Sequence, residues 1–518
     1  MHKLLFIIGV SLCLQVNAQL PEDALRASWT TPGGTAREQA IGGAMGSLGG
    51  DLSSAFINPA GLGLYKSREI VLSPGWRFLS DKGSYLGQTQ TGPVSNRFAL
   101  GSSGLVLGYE GQTPGVNNAF AISVNQTADF NSHISYGGTN AYSSFAEQYA
   151  EEFAYSGLDI NGGLASPSLD YGTRMALWTS LIDTATINGQ LQVIAQPQKA
   201  GKVIQHNDLR STGGITEIDI SLASGHQGKW YIGGSLGIPI LSYTRNQNYT
   251  ETDASGNTNN DFQSFTYTET YRTTGAGVNA KLGTIFAPSA SWRIGLAIHT
   301  PSVIGLTDRI SAAMTTRTES YTNLKEVSVT SQELDAATGL SPSPNSFDYR
   351  LYTPWHFLVS GSYIFGGGQA DAKKQKGFIT GDLEYITTNN PHFSAAASED
   401  AYGDPNSIYD GVNDAIRQTY KNTISARLGG EMKFDTWMVR AGGAYYTNPY
   451  KYSGVKADRL FLSTGLGYRK KMFFADLTYV ARFSRDINIP YYLSDKDNTA
   501  ATLKEMGGTV MLTVGIKL

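Results

Sequence analysis

Across residues 426–446, ARLGGEMKFDTWMVRAGGAYY, apolar and polar side chains take turns. Leu428, Met432 and Phe434 fall on one side; Arg427, Glu431 and Lys433 fall on the other. Past Asp435-Thr436, Trp437, Val439, Ala441 and Tyr445 alternate with Arg440 and small residues. Period two around a two-residue connection predicts a β-hairpin. Its register sets Phe434 opposite Trp437 and Glu431 opposite Arg440. Residues 461–483 repeat the design around a turn at 470–471. There Leu462, Leu466, Tyr468, Phe473, Leu477, Tyr479 and Phe483 share one face, and Arg469, Asp476, Thr478 and Arg482 the other. Hairpins are also predicted over 215–238 and 278–299, with strands at 352–365 and 377–386. Weaker strands fall near 69–79, 97–109 and 118–136.

The pattern gives about fourteen strands with connections that alternate in length, as an outer-membrane barrel requires. Short ones fall near 110–117, 225–228, 287–290, 366–376, 435–436 and 470–471. Long ones fall near 80–96, 137–212, 251–260, 301–345, 389–419, 448–458 and 485–507. No fixed period of the kind a propeller needs is present. Within 137–212, SSFAEQYAEEFAYSG has helical spacing and reads as an outer loop with its own helix. The terminal run VMLTVGIKL alternates Leu512, Val514, Ile516 and Leu518. An exposed apolar edge would aggregate, so these residues are expected to face lipid on a strand that closes against 69–79.

Composition narrows this all-β reading. Residues 1–18 run from Lys3 through LLFIIGVSLCL to a small-residue site at Ala18, the form of a removable secretory signal. The single cysteine, Cys13, lies inside that run and follows Leu12, which is too large for a lipoprotein site. The remaining chain therefore has no thiol for a disulfide, metal or redox site. A net charge of -3 gives no basic excess for nucleic acid. No later apolar run of ~20 residues could cross a membrane as a helix. There is no G-x-S-x-G elbow, H-E-x-x-H or P-loop, so no enzyme is predicted and no cofactor or metal is assigned. The seven histidines, at 2, 133, 206, 226, 299, 356 and 392, are scattered, with His299 and His356 on lumen-facing parity.

Residues 19–66 do not alternate. They are rich in Gly and Ala, and Ile41, Met45, Leu48, Leu52, Phe56, Ile57 and Leu62 make them too apolar for a solvated tail. Asp51 can cap a turn through LSSAF, Pro59 fixes its own φ and extends Asn58, and Gly61 and Gly63 permit tight turns. Such a segment is shaped to plug a narrow lumen, which divides the chain into a signal at 1–18, a hatch at 19–66 and a barrel at 67–518.

Here the sequence resembles a known family. TAREQAIGGAMGSLGGDLSSAFINPAGL, residues 35–62, is similar to the N-terminal hatch of FadL/TodX-type outer-membrane transporters. The matching positions are Arg37, Gly42, Gly43, Ala44, Asp51, Ser54, Asn58, Pro59, Ala60, Gly61 and Leu62. WRIGLAIHTPS resembles a mid-barrel strand of that family, with His299 and Thr300 where Arg or Tyr with Ser is more usual. ISARLGGEMKFDTWMVRAGGAYYTNPY resembles its late hairpin. The resemblance implies a fourteen-stranded barrel in the outer membrane of a Gram-negative bacterium. It also implies passive transport of hydrophobic compounds such as long-chain fatty acids. Loops 137–212 and 301–345 would collect the ligand, a pocket between hatch and wall would hold it, and a hatch shift would release it beside the third strand. The partners expected are a hydrophobic small molecule and outer-membrane lipid, with a monomeric barrel and no nucleic acid. Parity points Glu217, Asp219, Arg293, Asp382, Glu384, Arg427, Glu431, Lys433, Arg440, Asp476 and Arg482 inward. Arg293, Arg427, Arg440 and Arg482 are candidates for a bidentate hold on a ligand carboxylate. Asn58, Pro59, Ala60 and Gly61 form the hatch motif. Two alternatives stay open: a haem-binding receptor, and a FadL-like subunit of a secretion machine.

Overall fold

A computed structural model describes residues 19–518 except 30–32, 320, 322–324, 342–344, 367–374, 397–403 and 405. The expected signal at 1–18, and most of the 366–376 turn, therefore lie outside the described residues.

Fourteen antiparallel strands form the wall, several of them broken once and the second broken twice. They are β1 (Arg68–Leu72 and Pro74–Tyr85), β2 (Gln88–Thr91, Ser95–Leu100 and Ser103–Glu110), β3 (Val116–Asp129 and Ser132–Asn140) and β4 (Val203–His226). Next come β5 (Trp230–Asp253), β6 (Ser264–Phe286), β7 (Trp292–His299 and Val303–Arg317) and β8 (Asn345–Tyr352 and His356–Phe365). The circuit continues through β9 (Gly377–Ile386 and His392–Ala395), β10 (Thr423–Phe434), β11 (Trp437–Tyr446), β12 (Arg459–Lys470), β13 (Phe473–Asn488) and β14 (Ala501–Lys517). Each pairs with its neighbours in the chain, and β14 returns to β1 with Glu69 opposite Lys517 and Leu72 opposite Val514. The last strand thus closes the circuit on the first.

The outer surface carries the apolar half of each alternation. Ile218, Leu222, Leu236, Leu282, Leu296, Val359, Leu383, Leu428, Val439, Leu466, Leu477 and Leu512 are all exposed. Trp76, Trp230, Trp292 and Trp437 are exposed as well, in keeping with an interfacial aromatic girdle. Leu512, Ile516 and Leu518 face outward as expected. The hairpin at Asp435-Thr436 has the expected register: Phe434 opposes Trp437 and Glu431 opposes Arg440. The next turn is Lys471-Met472, one residue beyond its expected place.

Four of the expected long connections are shorter than the pattern suggests. The stretch 80–96 is not a loop: β1 runs on to Tyr85, turns at Leu86-Gly87, and β2 begins at Gln88. Within 301–345, 15 residues belong to the wall in β7, which resumes at Val303 and reaches Arg317. At 485–507, β13 extends to Asn488 and β14 starts at Ala501; at 137–212, β3 extends to Asn140 and β4 starts at Val203. The cause is common to all four. These strand ends rise past the apolar band, so their outer face carries Thr, Ser, Asn and charged residues, and the alternation read from hydrophobicity fades. The helix expected in SSFAEQYAEEFAYSG is present as Ala146–Ser156.

Candidate functional site

The segment 33–64 lies inside the wall as short helical turns (Ala36–Ala40, Ser54–Ile57, Pro59–Leu64), and nearly all of its residues are buried. With few strand or helix bonds of its own, its backbone is hydrogen-bonded by inward-facing wall side chains. Thr513 Oγ1 accepts from Ala36 N at 2.7 Å, and Thr478 Oγ1 donates to the Ala36 carbonyl at 2.5 Å. Ser463 serves Ala40, Asp382 accepts from Gly46 N at 3.1 Å, Ser235 serves Ala55, and Arg293 donates to the Leu48 carbonyl.

Asn58 is the centre of this arrangement. Its side-chain amide donates to the Gly46 carbonyl at 2.6 Å and to the wall carbonyl of Thr284 at 3.2 Å, while its Oδ1 accepts from Ala60 N. Wall glycines make room for the fit. A Cβ on Gly283 would overlap Asn58 Oδ1, and one on Gly442 would overlap the Ile41 backbone. Close backbone approach is thus the reason for glycine at both positions.

Around this segment the lower lumen is filled by paired charges. Arg440, with its side chain fully buried, donates to Glu431 at 2.7 Å and to Asp476 at 2.6 Å. Lys281 bridges Glu217 and Asp219, and Arg427 pairs with Glu384 at 2.5 Å. Three of the four arginines singled out from the sequence are therefore engaged low in the barrel: Arg293 with the N-terminal segment, Arg427 and Arg440 with wall acids. Arg482, bonded to Glu505 at 2.7 Å, instead lines a cavity above.

That cavity holds about 990 Å³, at the top of the ~300–1,000 Å³ usual for small-molecule pockets. Its floor is the N-terminal helix Pro21–Ser28 and Trp29, its sides are the upper ends of β4 to β6 and β12 to β14, and its roof is loop 141–202. Leu20, Leu25, Phe130, Phe145, Tyr149 and Tyr491 give it apolar and aromatic surface. Arg26 stacks over Tyr243 and Arg459 over Trp29, with guanidinium-to-ring distances of 4.0 and 4.2 Å, while Arg245 is held by Glu269 at 2.7 Å.

The roof is tied down by buried polar groups that the sequence reading missed. Arg174, on the loop helix Tyr171–Trp178, donates to Asp335 of the next long loop at 2.9 Å and to Thr338 at 3.0 Å. Glu251, near the top of β5 and well above the apolar band, accepts from Phe145 N, Ser144 Oγ and Gln205 Nε2 at 2.5–2.8 Å. Burial pushes its carboxyl up to about 7 despite those bonds. The available signal was a lone Arg on the apolar side of a predictable helix.

The third strand is irregular beside the lumen. Thr127 is bulged out of register against β4, and the strand breaks at Phe130-Asn131. Below the break β3 pairs with β2 only as far as Val124 opposite Ser103. Among the described residues no ladder joins Ser95–Leu100 to β3. Gly34 N donates to Asn125 Oδ1 there, at 3.2 Å.

No family model and no curated protein matches this chain. Solved structures do. A FadL homologue of Pseudomonas aeruginosa superimposes with a TM-score of 0.55 at 14% identity, over 95% of this chain and 99% of that one. The toluene transporter TodX of P. putida superimposes with a TM-score of 0.50 at 12% identity, over 94% and 99%. The chain thus has the FadL/TodX-type fold: a closed fourteen-stranded membrane barrel with its own N-terminal segment inside the lumen.

Proposed function

We propose that this protein is a passive outer-membrane channel for hydrophobic or amphipathic small molecules, long-chain fatty acids among them, and not an enzyme. The observation that carries this reading is the stacking of three features along one lumen. An aromatic-lined cavity of about 990 Å³ lies under tied-down loops, a hydrogen-bonded N-terminal hatch lies beneath it, and an unpaired stretch of wall opens at β3 beside both. A ligand enters beneath the loops, rests on the aromatic surface, and leaves sideways between Ser95–Leu100 and the broken third strand when the hatch loosens its hold on Asn125. Arg482, paired with Glu505 in the cavity wall, is the sequence-selected arginine placed to meet a ligand carboxylate.

A haem receptor is disfavoured. His299 and His356 are close enough to share a ligand, but their rings stack with centroids 5.9 Å apart beside a cavity of about 150 Å³, too small for a macrocycle.

The test is uptake. Cells lacking other such channels, expressing this protein, are expected to take up labelled oleate and lose that uptake when Phe130 and Asn131 are deleted to make β3 continuous. Uptake unchanged by that deletion removes the lateral exit; no uptake by the unaltered protein of oleate or of toluene removes the channel reading.

A further inference from the structure

We propose that His299, His356 and Glu384 form a binding site for a first-row divalent metal ion of the zinc type, where the hatch meets the wall. The three side chains come from adjacent strands. His299 of β7 lies directly opposite His356 of β8, and Glu384 of β9 lies opposite Leu358, one inward-facing position from that pair. All three point inward, and one donor atom from each lies within 4.8 Å of the other two. Donors about 3.3 Å apart suit a tetrahedral zinc ion with bonds of about 2.0–2.1 Å. The cavity of about 150 Å³ that borders all three residues leaves room for that adjustment and for water in the remaining coordination positions.

The donor set and its surroundings both suit such an ion. Two imidazoles and one carboxylate are the ligands of open zinc and iron sites, not of calcium or magnesium. Good metal ligands are themselves hydrogen-bonded from behind. Here His299 Nε2 lies 2.8 Å from the hatch carbonyl of Ile57, which can only accept, so the proton is on Nε2 and the other ring nitrogen has its lone pair free. Glu384 Oε2 accepts from Arg427 at 2.5 Å and from Ser425 at 3.2 Å. Its Oε1 is left facing His356 Nδ1 at 2.7 Å, across a proton that a metal ion would replace. The channel reading uses none of these three side chains, so the site stands or falls independently of what the barrel transports.

The experiment is zinc titration by calorimetry of the untagged, detergent-solubilised protein after chelator treatment. One tight site per chain is expected. His356→Ala and Glu384→Gln should each weaken it more than ~10-fold, the least that losing even indirect support for a metal ligand costs. His206→Ala, elsewhere on the wall, should leave it unchanged. Heat-modifiable gel migration identifies variants that have not folded. For any such variant the deciding measurement is the unaltered protein loaded with Co²⁺, which should show visible d–d absorption that Zn²⁺ abolishes. An unaltered protein without a stoichiometric zinc site, a featureless Co²⁺ spectrum, or ligand variants that fold and bind zinc as tightly as the unaltered protein would overturn the proposal.

Discussion

Arg440 and Arg245 are both inward-facing arginines on wall strands, and they live in different worlds. Arg440, low in the barrel, is enclosed by Glu431 and Asp476, and none of the three side chains is more than 1% exposed. Arg245, higher up, has Glu269 as partner, an aromatic ring beneath it, and the large cavity in front. Below, charge is used to fill space and to grip a backbone that has only short helical turns of its own. Above, charge is placed at the edge of a hollow that aromatic and polar side chains line together. The lesson is that one wall can be a stopper at one level and a receptacle at another, by changing only how completely its inward charges are enclosed.

Each contrast can be broken. The largest effect is expected from removing residues 19–60, which takes out the stopper together with the floor of the receptacle, Pro21–Ser28 and Trp29. Strands that pair only with one another should still close, and single-channel recordings should show a several-fold rise in ion conductance, with selective uptake of hydrophobic solutes lost. Unchanged conductance would mean the segment does not stopper the pore. Next is Arg440→Ala, which takes the hydrogen-bonded cation from two buried carboxylates and should cost about 3–5 kcal/mol in denaturant titrations of the reconstituted barrel. Exchanging the charges of Glu431 and Arg440 should not restore that loss, because the new Glu would face Asp476, and Arg37, 3.7 Å from Glu431, would face a new Arg.

In the upper region, Arg174→Ala should loosen the roof without unfolding the wall. The expected cost is about 1–3 kcal/mol, because the freed loop helices can reach water, and limited proteolysis within 141–202 reads it out. Asn58→Ala leaves the Gly46 and Thr284 carbonyls without their amide donor and should cost a similar ~1–3 kcal/mol, felt as faster hydrogen exchange in 51–64. The smallest effect concerns pH. The carboxyl of Glu251 titrates higher in the folded roof than in an open one, so its contribution to closure is full in acid and is lost as pH rises through about 7. Between pH 6 and 8 that is roughly 1.4 kcal/mol. Exchange at Phe145 and Ala146 should therefore speed up beyond the intrinsic base catalysis over that range, and Glu251→Gln should remove the excess.

The wall was legible because lipid on one side and a polar lumen on the other enforce strict alternation. Leu428 to Phe434 and Leu512 to Leu518 show it plainly, and register followed at Asp435-Thr436, where the two-residue turn was read in place. Legibility ended where that asymmetry ended. Val303–Arg317 has water outside, so Thr307, Arg309 and Ser311 replace the apolar row and the strand reads as loop. The interior was half legible. Parity placed Arg293, Arg427 and Arg440 inward, but their partners come from other strands, and no local pattern tells a paired arginine from one facing a cavity. His299 and His356 are 57 positions apart in the chain and meet only because β7 and β8 run side by side around a long loop.

The length of β4, β5 and β6 has a consequence for where this protein works. At 24, 24 and 23 residues they are more than twice what a tilted strand needs to cross a bilayer. At about 3.3 Å per residue and a tilt near 40°, such strands stand roughly 60 Å tall, against an apolar band of about 25 Å. The cavity among their upper ends is therefore held well clear of the hydrocarbon, like the mouth of a chimney above a roof. The architecture suits solutes that must be picked out of the water beyond the head groups, before the membrane surface has a chance to retain them.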